Sequence, residues 1–415
     1  MILIKKTIIK KTIILVLIFI YFFAVNNVNA QVFYPTPELE PYLYSGPSIT
    51  SRAAVLIDAA TGTILYYKNP NEEIPPASLA KLMTMHVAMK AIKEGRASYD
   101  ELIPVTAESW ARNQPWRSSL MFLEPGQTVT LREILLGLAV SSGNDAAVAL
   151  ALRFAPNMKS FADIMTDEAR NMDLSVTRFT ESSGISGLNM TTAAEFASFC
   201  RQYLLMHPNS LKDFHSVTTF AYPAAENVTQ RNRNNPNTIV QENRNNLLRL
   251  FSGVDGLKTG FINESGYNIA LTAERNNTRF ILVLLGAPSG RGGSRIRDTD
   301  GINILSWAFD NFKTVRPQIN HIEKAPVWKG KTNTVELKLE QSADFTSHIS
   351  RADTLKFEVV ILQPLIAPLP QGHFAGYIYI SDEYGELSRA PLVTAAGVEK
   401  GNFFKRLWHS IRLLF

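Results

Sequence analysis

At Pro317 the hydrophobic period of the chain changes, and this break constrains the architecture more than any other feature. Before it, helical and strand periods are interleaved. Residues 53–58 and 63–68 read as two strands of a hairpin turning at Thr61 and Gly62. Residues 78–93 form an apolar helical run stopped by Gly95. A helix is predicted over 131–140, with Leu131, Ile134, Leu135 and Leu138 on one stripe; it breaks at Ser141, Ser142, Gly143 and Asn144 and resumes over 145–154. Residues 160–215 read as mainly helical, and the Asn-loaded segment 226–246 as a solvated polar loop. Three strands follow at 254–261, 267–274 and 278–285, the last two linked through Asn276 and Asn277, and 302–312 reads as a closing helix. After residue 317, the pieces 332–339, 354–362 and 374–381 are strand-like between Pro- and Gly-rich turns, with no helix. The expected fold is an α/β (α+β) unit over 31–316, an antiparallel sheet packed by helices, followed by a small all-β domain over 317–398.

The ends of the chain carry different signals. Lys5, Lys6, Lys10 and Lys11 precede an apolar stretch over 13–25 and a small-residue site at Val28, Asn29 and Ala30, so 1–30 reads as a signal peptide. An uncleaved anchor is the rival, but the apolar stretch falls short of the ~20 residues a spanning helix needs. In residues 399–415, Phe403, Phe404, Leu407, Trp408, Ile411, Leu414 and Phe415 fall within about 140° of helical arc, opposite Lys405, Arg406, His409 and Arg412. A helix lying in a membrane interface is expected, with docking on the protein's own core as the alternative. The net charge of +5 sits partly at these ends, which argues for an anionic membrane surface and against a nucleic-acid groove. The single cysteine, Cys200, permits no intramolecular disulfide and lies in an apolar run as a structural thiol.

Three short motifs carry chemistry. Ser78 and Lys81 stand one helical turn apart on one face, a nucleophile beside a base, provided that the amine is held neutral. Ser142, Gly143 and Asn144 leave polar groups at a helix junction. Lys258, Thr259 and Gly260 lie within a predicted strand. Each alone is a common pattern.

Together and in this order they resemble the signature of the serine penicillin-recognising enzymes. The resemblance is closest to the D-alanyl-D-alanine carboxypeptidases among the low-molecular-mass penicillin-binding proteins. It extends to Asp58, Thr61 and Gly62, to residues 253–257 before Lys258, and to the β-domain with its amphipathic tail. It implies a transpeptidase/β-lactamase-like catalytic domain in which Ser78 attacks the terminal D-Ala-D-Ala bond of a peptidoglycan stem peptide. Lys81 would be the base, kept neutral by a nearby Lys258. Ser142 would relay a proton to the leaving amine, and Asn144 would bond Lys81 and the substrate amide. Lys258 and Thr259 would hold the terminal carboxylate, and Gly260 would let the substrate backbone lie along the strand edge. The backbone N–H groups of Ser78 and Phe261 would form the oxyanion hole. Arg297, seven residues before Ile304, stands where the family places a carboxylate-assisting arginine; the alternative is a surface arginine beside Arg291 and Arg295. β-Lactam antibiotics would be covalent inhibitors, and no metal or cofactor is implied.

Two departures stand out: Phe261 where many relatives carry His, and the Asn-rich segment. A β-lactamase of class A type needs a loop Glu set with a Leu-Asn pair, but three residues before Leu188 and Asn189 stands Ile185. A catalytically idle, membrane-attached wall-binding scaffold is the rival from another class. The sequence leaves carboxypeptidase and endopeptidase action undivided.

Overall fold

The run Ile281, Leu282, Val283, Leu284, Leu285 leaves no polar face on its strand, so that strand has to be covered on both sides. A computed structural model, describing residues 46–316, 324–340, 342–351, 354–362, 364–382 and 385–413, shows how. The export segment expected over 1–30 lies outside the described residues.

In chain order the first unit contains β1 (Ala53–Asp58), β2 (Ile64–Lys68) and α1 (Lys81–Lys93), the last entered through a 3-10 turn at Ala77–Ala80. Helix α2 (Leu131–Leu136) widens into a π-turn at Gly137–Ser141, and α3 (Asn144–Phe154), α4 (Met158–Asn171) and α5 (Ala193–Met206) follow. A hairpin of β3 (Thr219–Tyr222) and β4 (Ile239–Glu242) precedes β5 (Val254–Ile262), β6 (Gly266–Arg275), β7 (Thr278–Ala287) and α6 (Gly293–Asn311). The main sheet is antiparallel throughout, in the order β2-β1-β7-β6-β5. Alternate residues feed two cores. Val55, Ile57, Ile281 and Val283 pack with α1 to α5, whereas Ala54, Leu56, Leu282 and Leu284 pack on Ile304, Leu305 and Ala308 of α6. Truncating one such fully buried leucine to alanine costs about 2–5 kcal/mol.

Three expectations are corrected. Residues 172–192, read as part of a mainly helical stretch, are irregular, because side-chain hydrogen bonds to Glu181, Glu195 and Asn189 replace a helical ladder there. Helix α6 begins nine residues earlier than its apolar period suggested. Its first turns bury Arg297, Asp298 and Asp300, and Asp300 accepts from the backbone and hydroxyl of Ser51 at 2.7 Å, so polar residues there face inward. The Asn-rich segment is not simply solvated: it includes β4, and Asn227, Asn243 and Asn245 are buried. Asn227 donates to Thr128 O (2.9 Å) and Glu133 (2.7 Å), and Asn245 to Gly256 O (3.2 Å), which ties the segment to α2 and to β5.

Strand β8 (Phe312–Val315) leaves α6 directly and pairs with β11 of the second unit, which contains β9 (Ala325–Trp328), β10 (Leu337–Leu339), β11 (Phe345–His348), β12 (Lys356–Ile361), β13 (Phe374–Asp382) and β14 (Gly385–Thr394). Four of these form a sheet in the order β10-β14-β13-β12 over a separate apolar core. The all-β expectation holds, although β14, carrying Pro391 and Arg389, gave no strand signal. Asp58 at the end of β1 fastens the two units. Its carboxylate takes the N–H groups of Ala60 (2.6 Å) and Thr61 (3.1 Å) and the hydroxyls of Thr314 (3.0 Å) and Thr346.

The terminal helix α7 (Phe403–Arg412) hangs on this domain by its polar side. Lys329 N–H donates to His409 Nδ1 at 2.8 Å, and the Arg412 guanidinium lies 6.0 Å from the Trp328 ring centre. Its apolar residues face outward, with Phe404 80% and Trp408 60% exposed.

Candidate active site

Ser78 stands at the tip of a strained backbone. Ala77 before it has φ 52°, a left-handed conformation that a residue with a side chain adopts only when its surroundings impose it. What imposes it is close packing from two sides. A side-chain carbon on Gly184 (φ 83°) would fall 1.9 Å from Ala77 O, and one on Gly260 would fall 2.9 Å from Pro76 O and 3.0 Å from Ser78 N. Gly260 is therefore required by the chain's own backbone at Ser78, a different reason from the substrate approach expected of it.

The 3-10 turn into α1 carries Lys81 into the core, where it is fully buried. Its Nζ lies 2.9 Å from Ser78 Oγ, 2.8 Å from Asn144 Oδ1 and 2.5 Å from Ser183 O. Burial pushes the Lys81 amine down to about 7, while Glu181 and Asp145 act in the opposite direction. Desolvation is thus the main cause, so of the two routes open to such an amine, burial and neighbouring positive charge, it is burial that acts first, where the resemblance implied the charge of Lys258. Lys258 is also buried, with Nζ 3.0 Å from Thr259 O, and its proton affinity falls through burial first and then through Lys81, Arg244 and Arg297.

The second motif is shaped by a neighbouring loop. Ser142 is left-handed at φ 59° and closes the π-turn, so α3 restarts at Asn144. A side-chain carbon on Gly143 would meet Asp145 Oδ1 at 2.7 Å and Met121 N at 2.8 Å, and one on Gly137 would meet Met121 Sδ at 2.3 Å. Both glycines let the 118–123 loop lie against the junction. Asp145 clamps that loop by accepting the N–H groups of Met121 (2.8 Å), Phe122 (2.8 Å) and Leu123 (3.0 Å). Asn144 donates to Ser118 Oγ (3.2 Å) and, by its backbone, to Ser119 O (2.8 Å).

These parts enclose a cleft of about 630 Å³ lined by Ser78, Ser142, Asn144, Thr259, Gly260, Phe261 and Arg297, seven of the nine expected site residues. Lys81 and Lys258 lie beneath its surface, next to that lining. Arg297 is only 3% exposed, so it is no surface arginine; Asp298 holds its guanidinium at 2.6 and 3.0 Å. Phe261 is 40% exposed and lies 4.3 Å from the Tyr267 ring, over which Arg297 sits at 6.0 Å. Sequence reasoning missed Trp116 to Ser119 and Ser183; it set the Asn-rich segment at the cleft entrance, and Gln241, Asn243 and Arg244 of that segment line the cleft. Only the Ser-Ser-Gly run at 182–184 and the Asn-Arg run at 243–246 offered a signal for them. Among the described residues no cluster of His, Cys, Asp or Glu is arranged to hold a metal ion.

A buried amine against a serine hydroxyl, at a helix start in an α/β unit with an antiparallel sheet, defines a serine acyl-transfer enzyme of the penicillin-binding class. The particular family follows from comparison. Residues 41–289 match the D-alanyl-D-alanine carboxypeptidase family, and residues 312–400 match the C-terminal domain of penicillin-binding protein 5, so the chain belongs to the D-alanyl-D-alanine carboxypeptidase family. It is 30% identical over 391 residues to the D-alanyl-D-alanine carboxypeptidase DacC of Escherichia coli K12, covering 92% of this chain and 93% of that protein. DacD of the same organism is 31% identical, covering 88% and 92%. The crystal structure of penicillin binding protein 5 from Haemophilus influenzae superposes with a TM-score of 0.73 at 29% identity, covering 86% of this chain and 99% of that one.

Proposed function

We propose that Ser78 is the nucleophile and Lys81 the base of a D-alanyl-D-alanine carboxypeptidase that trims peptidoglycan stem peptides, an activity that family membership supports. One observation carries the assignment: the three contacts of Lys81 Nζ. Asn144 Oδ1 and Ser183 O can only accept, so they take the two N–H bonds of a neutral amine and leave its lone pair facing the Ser78 hydroxyl. Ser78 Oγ attacks the carbonyl of the penultimate D-Ala as its proton passes to Lys81. The oxyanion sits between the N–H groups of Ser78 and Phe261. The C–N bond then breaks, the leaving amine takes its proton through Ser142, and free D-Ala departs. Water attacks the resulting ester and returns Ser78 to its hydroxyl form.

Thr259, Arg297 and Lys258 hold the substrate's carboxylate. Its negative charge favours protonated Lys258, and a positive charge beneath the cleft disfavours a charged Lys81. A β-lactam enters the same path, but its leaving group stays attached and the drug is retained as an ester. Loss of covalent labelling by a fluorescent penicillin in Ser78→Ala, together with loss of D-Ala release from pentapeptide, is the test; retention of either refutes the assignment. Parallel incubation with cross-linked muropeptide separates carboxypeptidase from endopeptidase action.

The protein is inferred to work outside the cytoplasmic membrane, held on its surface by α7. The outward apolar face of α7 and its attachment by the basic side support this reading. Among the described residues no helix is long and apolar enough to cross a membrane.

A further inference from the structure

Glu181 belongs to none of the three motifs, yet it gathers the turn that touches Lys81. One carboxylate oxygen accepts the N–H and the hydroxyl of Ser183, both at 2.6 Å. The other accepts the N–H of Gly184 (2.7 Å), the N–H of Ser186 (3.3 Å) and the side-chain amide of Asn189 (2.7 Å). Asn189 in turn takes the N–H of Thr180 at 2.7 Å, so the turn is closed on both sides of Glu181. The Leu-Asn pair at 188–189 therefore serves this turn. A carboxylate that accepts five such bonds has little capacity left to activate a water.

The product of this closure is the placement of one carbonyl. Ser183 O stands 2.5 Å from Lys81 Nζ and, with Asn144 Oδ1, fixes where the amine's third position points. Gly184, pressed on Ala77, locks the same turn to the residue before Ser78. One short turn thus sets the nucleophile and the base relative to each other. Three titratable groups face Lys81: Glu181 from this turn, Asp145 from the start of α3, and Lys258 from β5. Arg244 and Arg297 act on Lys258 in turn.

We propose that Glu181 is a positioning residue for acylation, holding the Ser183 carbonyl so that the lone pair of Lys81 faces Ser78. The proposal rests on the assignment of Ser78 and Lys81 above. The bonds of Glu181 go to Ser183, Gly184, Ser186 and Asn189 and none to Thr259, Lys258 or Arg297, so its effect is expected on the acylation step.

The test is the second-order rate constant for covalent labelling of the full-length protein by a fluorescent penicillin, followed from pH 5 to 9. The rate constant is read, not the amplitude, so an unfolded fraction does not enter. Glu181→Ala is expected to label on the order of 100-fold more slowly at pH 7.5, the scale of a misplaced catalytic group. Glu181→Gln keeps the shape of the side chain and one acceptor oxygen, which protects the fold. It removes a charge that favours protonated Lys81, so its acid limb is expected to move to lower pH. Labelling of Glu181→Gln within about twofold of the parent with an unmoved midpoint overturns the proposal. So does a loss in Glu181→Gln that is uniform across pH, since a structural role alone would give it. Persistent labelling in Ser78→Ala, by contrast, would sink the underlying assignment and leaves a different signature from either outcome.

Discussion

Around Ser78 the chain buries two lysines, an aspartate and several amides, and holds Ala77 and Ser142 in left-handed backbone. Beyond Phe312 it does the reverse, burying few polar side chains and turning the aromatic face of α7 outward. Buried polar groups are costly unless every one finds a partner, so the first region has to be rigid and over-determined. Exposed aromatics are costly in water but favourable at a lipid boundary, so under the proposed attachment the second needs only to be presented at the right place. The comparison separates chemistry from placement, with Asp58 joining the two.

Five results would break or sharpen that separation. Ser78→Ala should lower D-Ala release by on the order of 10⁴-fold while leaving membrane association intact. A parallel loss of membrane association would join what the comparison separates. Acidification is next. As the proposed base Lys81 would act only when neutral, and its amine is pushed down to about 7, so labelling should be flat well above pH 7 and fall about tenfold per pH unit below it. An acid limb centred near the ordinary lysine range would remove burial as the cause.

Arg297→Ala should raise KM for the pentapeptide by roughly 10- to 100-fold, the scale of one charge-assisted hydrogen bond of about 1.5–3 kcal/mol, with a smaller change in kcat. An unchanged KM would mean that its partner is Asp298 alone. Asp58→Ala leaves the hydroxyls of Thr314 and Thr346 without their acceptor, at a cost of about 1–3 kcal/mol. It should let the second unit melt separately in calorimetry, with labelling unaltered. Removal of 402–415 should change kcat/KM on a soluble peptide least of all, within about twofold. It should move the protein from the membrane to the soluble fraction. A truncated protein that stays on membranes would assign attachment to another part of the chain.

Much of this was legible in order along the chain. The hairpin at Asp58, the Ser78 run, the break at 141–144 and the strand holding Lys258 are local patterns, set by side-chain period and by Gly and Asn at turns. The irregular segment 172–192, the early start of α6 and the buried asparagines were not legible. Each depends on a polar residue that satisfies a distant backbone group, as Asn245 does at Gly256 and Asp300 does at Ser51. Polarity in a sequence says only that a group needs a partner, and water is the default partner until the fold supplies another.

The sequence by itself singled out the residues proposed to carry the chemistry, marked a change of period near residue 317 and showed which face of the tail is apolar, because periodicity and motif spacing are properties of neighbouring residues. Only the tertiary structure decided that Lys81 is fully buried, that Gly260 is demanded by the backbone at Ser78, and that Glu181 shapes the site from outside every motif. Burial and close approach are relations between segments far apart in the chain. The amine's proton affinity, on which the reading depends, is set by how completely those segments exclude water.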